Sequence, residues 1–156
     1  MHFEYGPQGK PFLREDLEFN LSHTENWAAL AVSKDAPVGL DIQQYRYVEP
    51  EVAERFFSPA EILELGSLSP SEWEDGFFRC WTRKEAIIKG IGRGLSIGLE
   101  TFDVSLSPDK RAQIRRFSQS VNVVRDWSIH HLDFAENRVG ALAVNSFQRS
   151  VSIIRK

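Results

Sequence analysis

Asp41 interrupts Val38-Gly39-Leu40-Asp41-Ile42, a run that otherwise reads as a buried strand. A buried carboxylate is costly unless it is paired or holds a metal ion. The two-residue period of a strand puts Asp41 and Gln43 on one face and Leu40 and Ile42 on the other, so two oxygen-bearing side chains look into one site. An edge strand whose polar face meets water is the competing reading. Further along, Trp81-Thr82-Arg83-Lys84-Glu85-Ala86-Ile87-Ile88-Lys89 carries a helical pattern that aligns Phe78, Thr82, Glu85 and Lys89. Glu85 and Lys89 are then neighbours one turn apart, the spacing of an ordinary surface ion pair worth about 0.2–0.5 kcal/mol as well as of a working acid and base. A third group comes earlier: Lys10 in Gly9-Lys10-Pro11, then Ser22 and His23 in Phe19-Asn20-Leu21-Ser22-His23, in non-helical segments before a strand. A lysine, a hydroxyl and an imidazole can each contact phosphate. Ser22, His23 and Asp41 make no hydrolytic triad, because adjacent side chains of an extended segment point to opposite faces. Gly90-Ile91-Gly92-Arg93-Gly94 is no dinucleotide fingerprint, since it follows a helix instead of following a strand and opening one.

The elements that must position these groups are marked by local signals. Ser58-Pro59-Ala60-Glu61 reads as N-cap, N1 proline and N3 acid, opening a short helix through Leu65 that Gly66 ends. Ser69-Pro70-Ser71-Glu72 repeats that grammar and opens a longer helix through Trp81, Glu85 and Lys89, stopped at Gly90 with Gly92 and Gly94 behind it. A shorter helix covers 50–57. Strand-like runs surround the helices at 27–32, 38–42, 102–106, 121–132, 140–147 and 151–154. Strands on either side of a helical block predict an α+β domain with antiparallel pairing. Ala29-Leu30-Ala31-Val32 recurs as Ala141-Leu142-Ala143-Val144, each after a histidine-containing stretch and a Glu-Asn turn, so each resembles the closing hairpin of one unit.

Composition narrows the function classes. With 156 residues, 42% of them hydrophobic, the chain can bury a core, and it has no apolar run of the roughly 20 residues that a membrane helix needs. Its start lacks the basic-then-apolar pattern of a secretion signal, which predicts a cytoplasmic protein. A single cysteine, Cys80, excludes an internal disulfide framework and reads as core filler. The net charge of −3 argues against nucleic acid as a partner. Locally, Arg79, Arg83, Lys84, Lys89 and Arg93 outnumber Glu85, so that stretch attracts phosphate or an acidic partner, unless it is simply a solvated helix face.

Taken in order, GKPFL (9–13), FNLSH (19–23), VGLDIQ (38–43), FFSPAE (56–61) and WTRKEAIIKGIGRGL (81–95) resemble the successive motifs of the 4′-phosphopantetheinyl transferase superfamily, in its Sfp-like branch. The resemblance runs to about Phe102. It implies an antiparallel sheet packed with a long helix, in a lobe related by a pseudo-twofold axis to another, of which only a part is present. Residues 1–36 are then the closing segment of a first lobe and 37–156 a second lobe. The implied activity is transfer of the phosphopantetheine arm of coenzyme A to a serine of an acyl or peptidyl carrier protein, with release of 3′,5′-adenosine bisphosphate.

By that resemblance Asp41 and Glu85 ligate Mg²⁺, or Mn²⁺ in its place. Gln43 stands where the family commonly has a glutamate ligand, and a glutamine oxygen can bind the ion directly or through water with one negative charge fewer. Glu85 also accepts the serine proton and Lys89 stabilises the leaving phosphate. Lys10, Ser22 and His23 match positions holding the nucleotide end of coenzyme A, and Lys84 one near the phosphates. Arg79, Arg83 and Arg93 steer an acidic carrier, with apolar contacts drawn from Phe56, Phe57 or Ile62. Two rivals remain: a catalytically silent module binding coenzyme A or a carrier protein, suggested by Gln43 and the incomplete first lobe, and a metal-dependent phosphate-ester hydrolase. One wall of the cleft is expected to be missing, so that either residues upstream or self-association supplies it.

Overall fold

The computed structural model describes residues 4–6, 9, 11–12, 17–92, 97–107, 111–118, 125–134, 137–146 and 150–154. Nine strands and three helices follow in the order β1 (Glu4–Tyr5), β2 (Pro11–Phe12), β3 (Leu17–Thr24), β4 (Trp27–Lys34), β5 (Val38–Gln44), α1 (Pro50–Phe56), α2 (Pro59–Gly66), α3 (Pro70–Ile91), β6 (Phe102–Val104), β7 (Ile114–Phe117), β8 (Ser128–Phe134) and β9 (Arg138–Val144) among the described residues. All pairings are antiparallel: β1 with β2, β3 with β4, β6 with β7, and a central sheet ordered β5-β9-β8. The fold is α+β.

The helices begin where their caps dictate. Ser58 Oγ accepts from the Glu61 amide at 3.3 Å while Glu61 Oε2 accepts from the Ser58 amide at 2.9 Å, and at α3 the Ser69 amide donates to Glu72 Oε2 at 3.2 Å. Contrary to the expected stop at Gly90, α3 continues to Ile91. Gly92 ends it, with φ 73° and its amide on Ile88 O at 3.0 Å.

Strand alternation sorts the central sheet into two faces. Ile129, Val139, Ala141 and Ala143 join the core beneath α3, with Phe77, Phe78, Ala86 and Ile87. Val38, Leu40, Ile42, Leu132, Leu142 and Val144 cluster on the other face, where Ala29, Ala31 and Val151 pack on them. Gly39 lies against α3, where a Cβ would collide with Ala86 O and the Gly90 backbone. At Gly90 a Cβ would run into Trp127 and stand 3.2 Å from Gly39 N. These two glycines let strand and helix backbones approach closely, which is why Gly90 sits inside the helix and not at its end.

The strand expectations need correction in several places, including the run expected over 121–132, where Arg125 and Asp126 are helical and the strand begins only at Ser128. Residues 17–24 form a full strand, β3, and residues 151–154 form none. Ile114–Phe117 adds an unforeseen strand.

Candidate active site

The close approach of β5 and α3 fixes the site. Asp41 on β5 faces α3, where Trp81, Glu85 and Lys89 rise at four-residue spacing. Leu21, Ser22 and His23 of β3, with Gln43, complete a cleft of about 400 Å³. Phe78 and Thr82, expected beside Glu85, are instead core residues, with Thr82 Oγ1 donating to Phe78 O at 2.8 Å. Trp81 takes their place in the cleft. Its spacing of four from Glu85 was a signal open to sequence reading.

Asp41 is 2% exposed although β5 is an edge strand of its sheet, so no wetted polar face exists there. Its carboxylate is held from three sides: Lys89 Nζ donates to Oδ1 at 2.6 Å, Gln43 Nε2 to Oδ2 at 3.1 Å, and Ser22 Oγ to Oδ1 at 3.4 Å. Burial pushes the Asp41 carboxyl above the usual carboxylate range, and the Lys89 ammonium is the largest influence pulling it back. Glu85 is displaced the same way, first by burial and then by the charge of Asp41, with Lys89 opposing. The two carboxylates therefore feel each other across one cleft.

β3 serves the site through side chains that cap the open edge of β5. The Leu40 amide donates to Asn20 Oδ1 at 2.8 Å and the Ile42 amide to Ser22 Oγ at 3.1 Å. Ser22, expected at the nucleotide end, is thus a 4%-exposed wall residue whose hydroxyl is engaged with Asp41 and β5. His23, its neighbour on the opposite strand face, is exposed at the rim, and no Ser22-His23-Asp41 relay forms. Asn20, in the same motif, is a further site-building residue, holding the Leu40 amide. Its two-residue offset from Ser22 was the available signal.

The basic run of α3 is not a surface patch, since most of it is buried. The Lys84 ammonium, 0% exposed, lies outside the cleft: it pairs with Glu61 Oε2 at 2.7 Å and donates to Leu99 O at 2.7 Å and to Phe102 O. That geometry removes Lys84 from the phosphate-binding set. Arg79 donates to Leu106 O at 2.8 Å and Arg83 to Ser105 O, at 7% and 2% exposure, so neither is free to steer a partner. Lys10 and Arg93 lie outside the described residues. Cys80 is a buried free thiol, pushed well up by burial.

No cluster of three or more His, Cys, Asp or Glu side chains suited to a metal occurs among the described residues. Two carboxylates converging on one polar cleft beside an amide are hard oxygen donors, and they fit a small dication that keeps most of its waters.

The model of the 4′-phosphopantetheinyl transferase superfamily matches residues 37–143. The chain belongs to that superfamily. The 4′-phosphopantetheinyl transferase psf-1 of Bacillus pumilus is 44% identical over 115 residues, covering 72% of this chain and 49% of the relative. Sfp of Bacillus subtilis, also a 4′-phosphopantetheinyl transferase, is 35% identical over 116 residues, covering 73% and 51%, which supports the Sfp-like branch. The chain spans about half the length of these curated relatives. Among solved structures, the holo-[acyl-carrier-protein] synthase of Thermotoga maritima superposes with a TM-score of 0.54 at 18% identity, over 72% of this chain and 64% of that one. At that identity the likeness shows the fold.

Proposed function

We propose that this chain carries the catalytic groups of a 4′-phosphopantetheinyl transferase that moves the pantetheine arm of coenzyme A onto a carrier-protein serine. The observation that supports it most is the convergence of Asp41, Glu85 and Lys89 from β5 and α3 in one cleft of a superfamily member. Glu85, kept basic by burial and by Asp41, accepts the serine proton directly or through a water. The serine oxygen bonds to the β-phosphorus as the bond to the adenosine bisphosphate breaks, and the Lys89 ammonium meets the charge left on the departing phosphate. Mg²⁺ or Mn²⁺ bound by Asp41 and Glu85 would supply further neutralisation of the pyrophosphate. Gln43 orients Asp41 through its amide nitrogen at 3.1 Å. His23 at the rim, with Lys10, is assigned to the nucleotide end of the substrate.

The same reading treats residues 1–36 as the closing segment of a first lobe and 37–156 as the second lobe. Both copies of the Ala-Leu-Ala-Val sequence lie in the second strand of a hairpin, β3-β4 and β8-β9, which is what such a relation requires. The reading also places the protein in the cytoplasm, in keeping with the free thiol of Cys80. No described helix is long and apolar enough to cross a membrane.

Incubation with coenzyme A, Mg²⁺ and several apo carrier proteins, followed by mass spectrometry, should show addition of one phosphopantetheine. Binding of coenzyme A without transfer to any carrier would make the chain a binding module. Coenzyme A breakdown without an acceptor would favour a hydrolase.

A further inference from the structure

Asp41 is among the most deeply buried carboxylates described, and its tightest contact is with a lysine. Only 3% of its side chain is exposed against 32% of that of Lys89, which stands 2.6 Å away. The ammonium therefore compensates for lost hydration on one side while its other side remains open to the cleft. Gln43 and Ser22 bind the same carboxylate, and Lys89 has Ser22 Oγ as a second, longer acceptor at 3.4 Å. Any dication using Asp41 Oδ1 must enter where a positive charge already lies, and the two cations repel each other. A lysine head on a flexible four-carbon stem can leave while its stem stays packed.

Resting on the phosphoryl-transfer reading of the cleft, we infer that Lys89 is a resident counter-cation of Asp41, which yields Oδ1 to a divalent metal ion when a substrate phosphate takes up its ammonium. Metal and phosphate then bind this chain cooperatively. Alone, the metal has to displace Lys89 with no new partner for the ammonium. Alone, the phosphate has to draw Lys89 away from a carboxylate that would be left buried and uncompensated. Entering together, dication and pyrophosphate exchange partners with the Asp41–Lys89 pair, and no charge in the cleft is left bare. Such coupling is reciprocal, with each ligand raising the affinity for the other by the same factor.

Binding of Mn²⁺ to the full chain, followed by the electron paramagnetic resonance of the free ion, tests this without a carrier protein and hence without turnover. Coenzyme A should tighten Mn²⁺ binding by a factor in the range of roughly 5 to 150. Lys89→Met keeps the apolar stem and removes the competing charge. It should bind Mn²⁺ more tightly than the parent when coenzyme A is absent, and show a smaller gain when coenzyme A is added. Lys89→Gln, neutral but still able to donate to Asp41, carries the same test should the methionine variant fail to fold. Mn²⁺ affinity without coenzyme A that is unchanged or weakened in the folded lysine variant overturns the inference. Asp41→Asn separates the two levels of argument: if it binds Mn²⁺ as well as the parent does, the metal site itself has been misplaced, whatever Lys89 does.

Discussion

Lys84→Met removes an ammonium whose three hydrogens all have protein acceptors: Glu61 Oε2 at 2.7 Å, Leu99 O at 2.7 Å and Phe102 O. With the two paired side chains 0% and 1% exposed, water cannot replace the lost partner. Glu61 would keep the amides of Ser58 at 2.9 Å and Val104 at 2.8 Å, but its charge would be buried without a counter-ion. Methionine roughly preserves the stem and its packing, so lost volume contributes little. The attraction of the ammonium to the Phe102 ring, 4.4 Å from its centroid, also disappears. Breaking a buried pair by removing one partner costs about 3–5 kcal/mol, a large share of the roughly 5–15 kcal/mol that holds a typical domain. Urea unfolding followed by tryptophan fluorescence should record a loss of that size. Glu61→Gln/Lys84→Met should recover part of it, because the glutamine is neutral, although its single oxygen can accept from only one of the two amides that Glu61 serves with separate oxygens, so the double-mutant cycle should report strong coupling. A loss below about 1 kcal/mol for Lys84→Met would refute the reasoning and reduce the pair to an incidental contact.

Gly39→Ala puts a methyl group into Ala86 O and the Gly90 backbone, and should cost roughly 1–3 kcal/mol or more while pulling Asp41 away from Lys89. Equal melting temperatures for parent and variant would contradict that packing. For Glu85, burial and Asp41 hold the carboxyl above the usual range, so the folded chain binds its proton more tightly than the unfolded chain and loses stability as pH rises through that window. Glu85→Gln should therefore melt higher than the parent at neutral pH, by a margin that fades as pH falls to the usual carboxylate range, while losing most carrier modification in mass spectrometry. Near-parent transfer under saturating Mg²⁺ would remove Glu85 from the catalytic groups and leave Lys89 as the partner of Asp41 alone. Gln43→Glu should lower the Mg²⁺ concentration for half-maximal transfer, since it adds a negative charge beside Asp41, and an unchanged metal dependence would place residue 43 outside the metal's reach.

Much of this arrangement was legible before folding was considered, because the signals are local. A capping box needs only Ser58 and Glu61, three residues apart, and the long helix starts with the same chemistry at Ser69 and Glu72. An acid in an otherwise apolar strand marked Asp41, and one helical turn joined Glu85 to Lys89. What the chain could not announce was which neighbours arrive from a distance. The strand LEFNLSHT mixes polar and apolar residues, and it becomes β3 by pairing with β4 and by lending Asn20 and Ser22 to the edge of β5. Gly90 reads as a stop in any local grammar, yet it is a point of contact with Gly39 inside a continuing helix. Arg79, Arg83 and Lys84 look like a solvated basic face because their charges are visible in the sequence, whereas the carbonyls of Leu99, Phe102, Ser105 and Leu106 that bury them are not. Residue type and period alone determined the helices, the anomalous acid and the shared helix face of Glu85 and Lys89, each a matter of a few neighbouring side chains, whereas the ion pair that Lys89 makes is with the distant Asp41. Tertiary packing decided which cations face the cleft and which are locked in the core, because the free energy of a charge depends on the solvent and partners around it, and those come from segments remote in the chain.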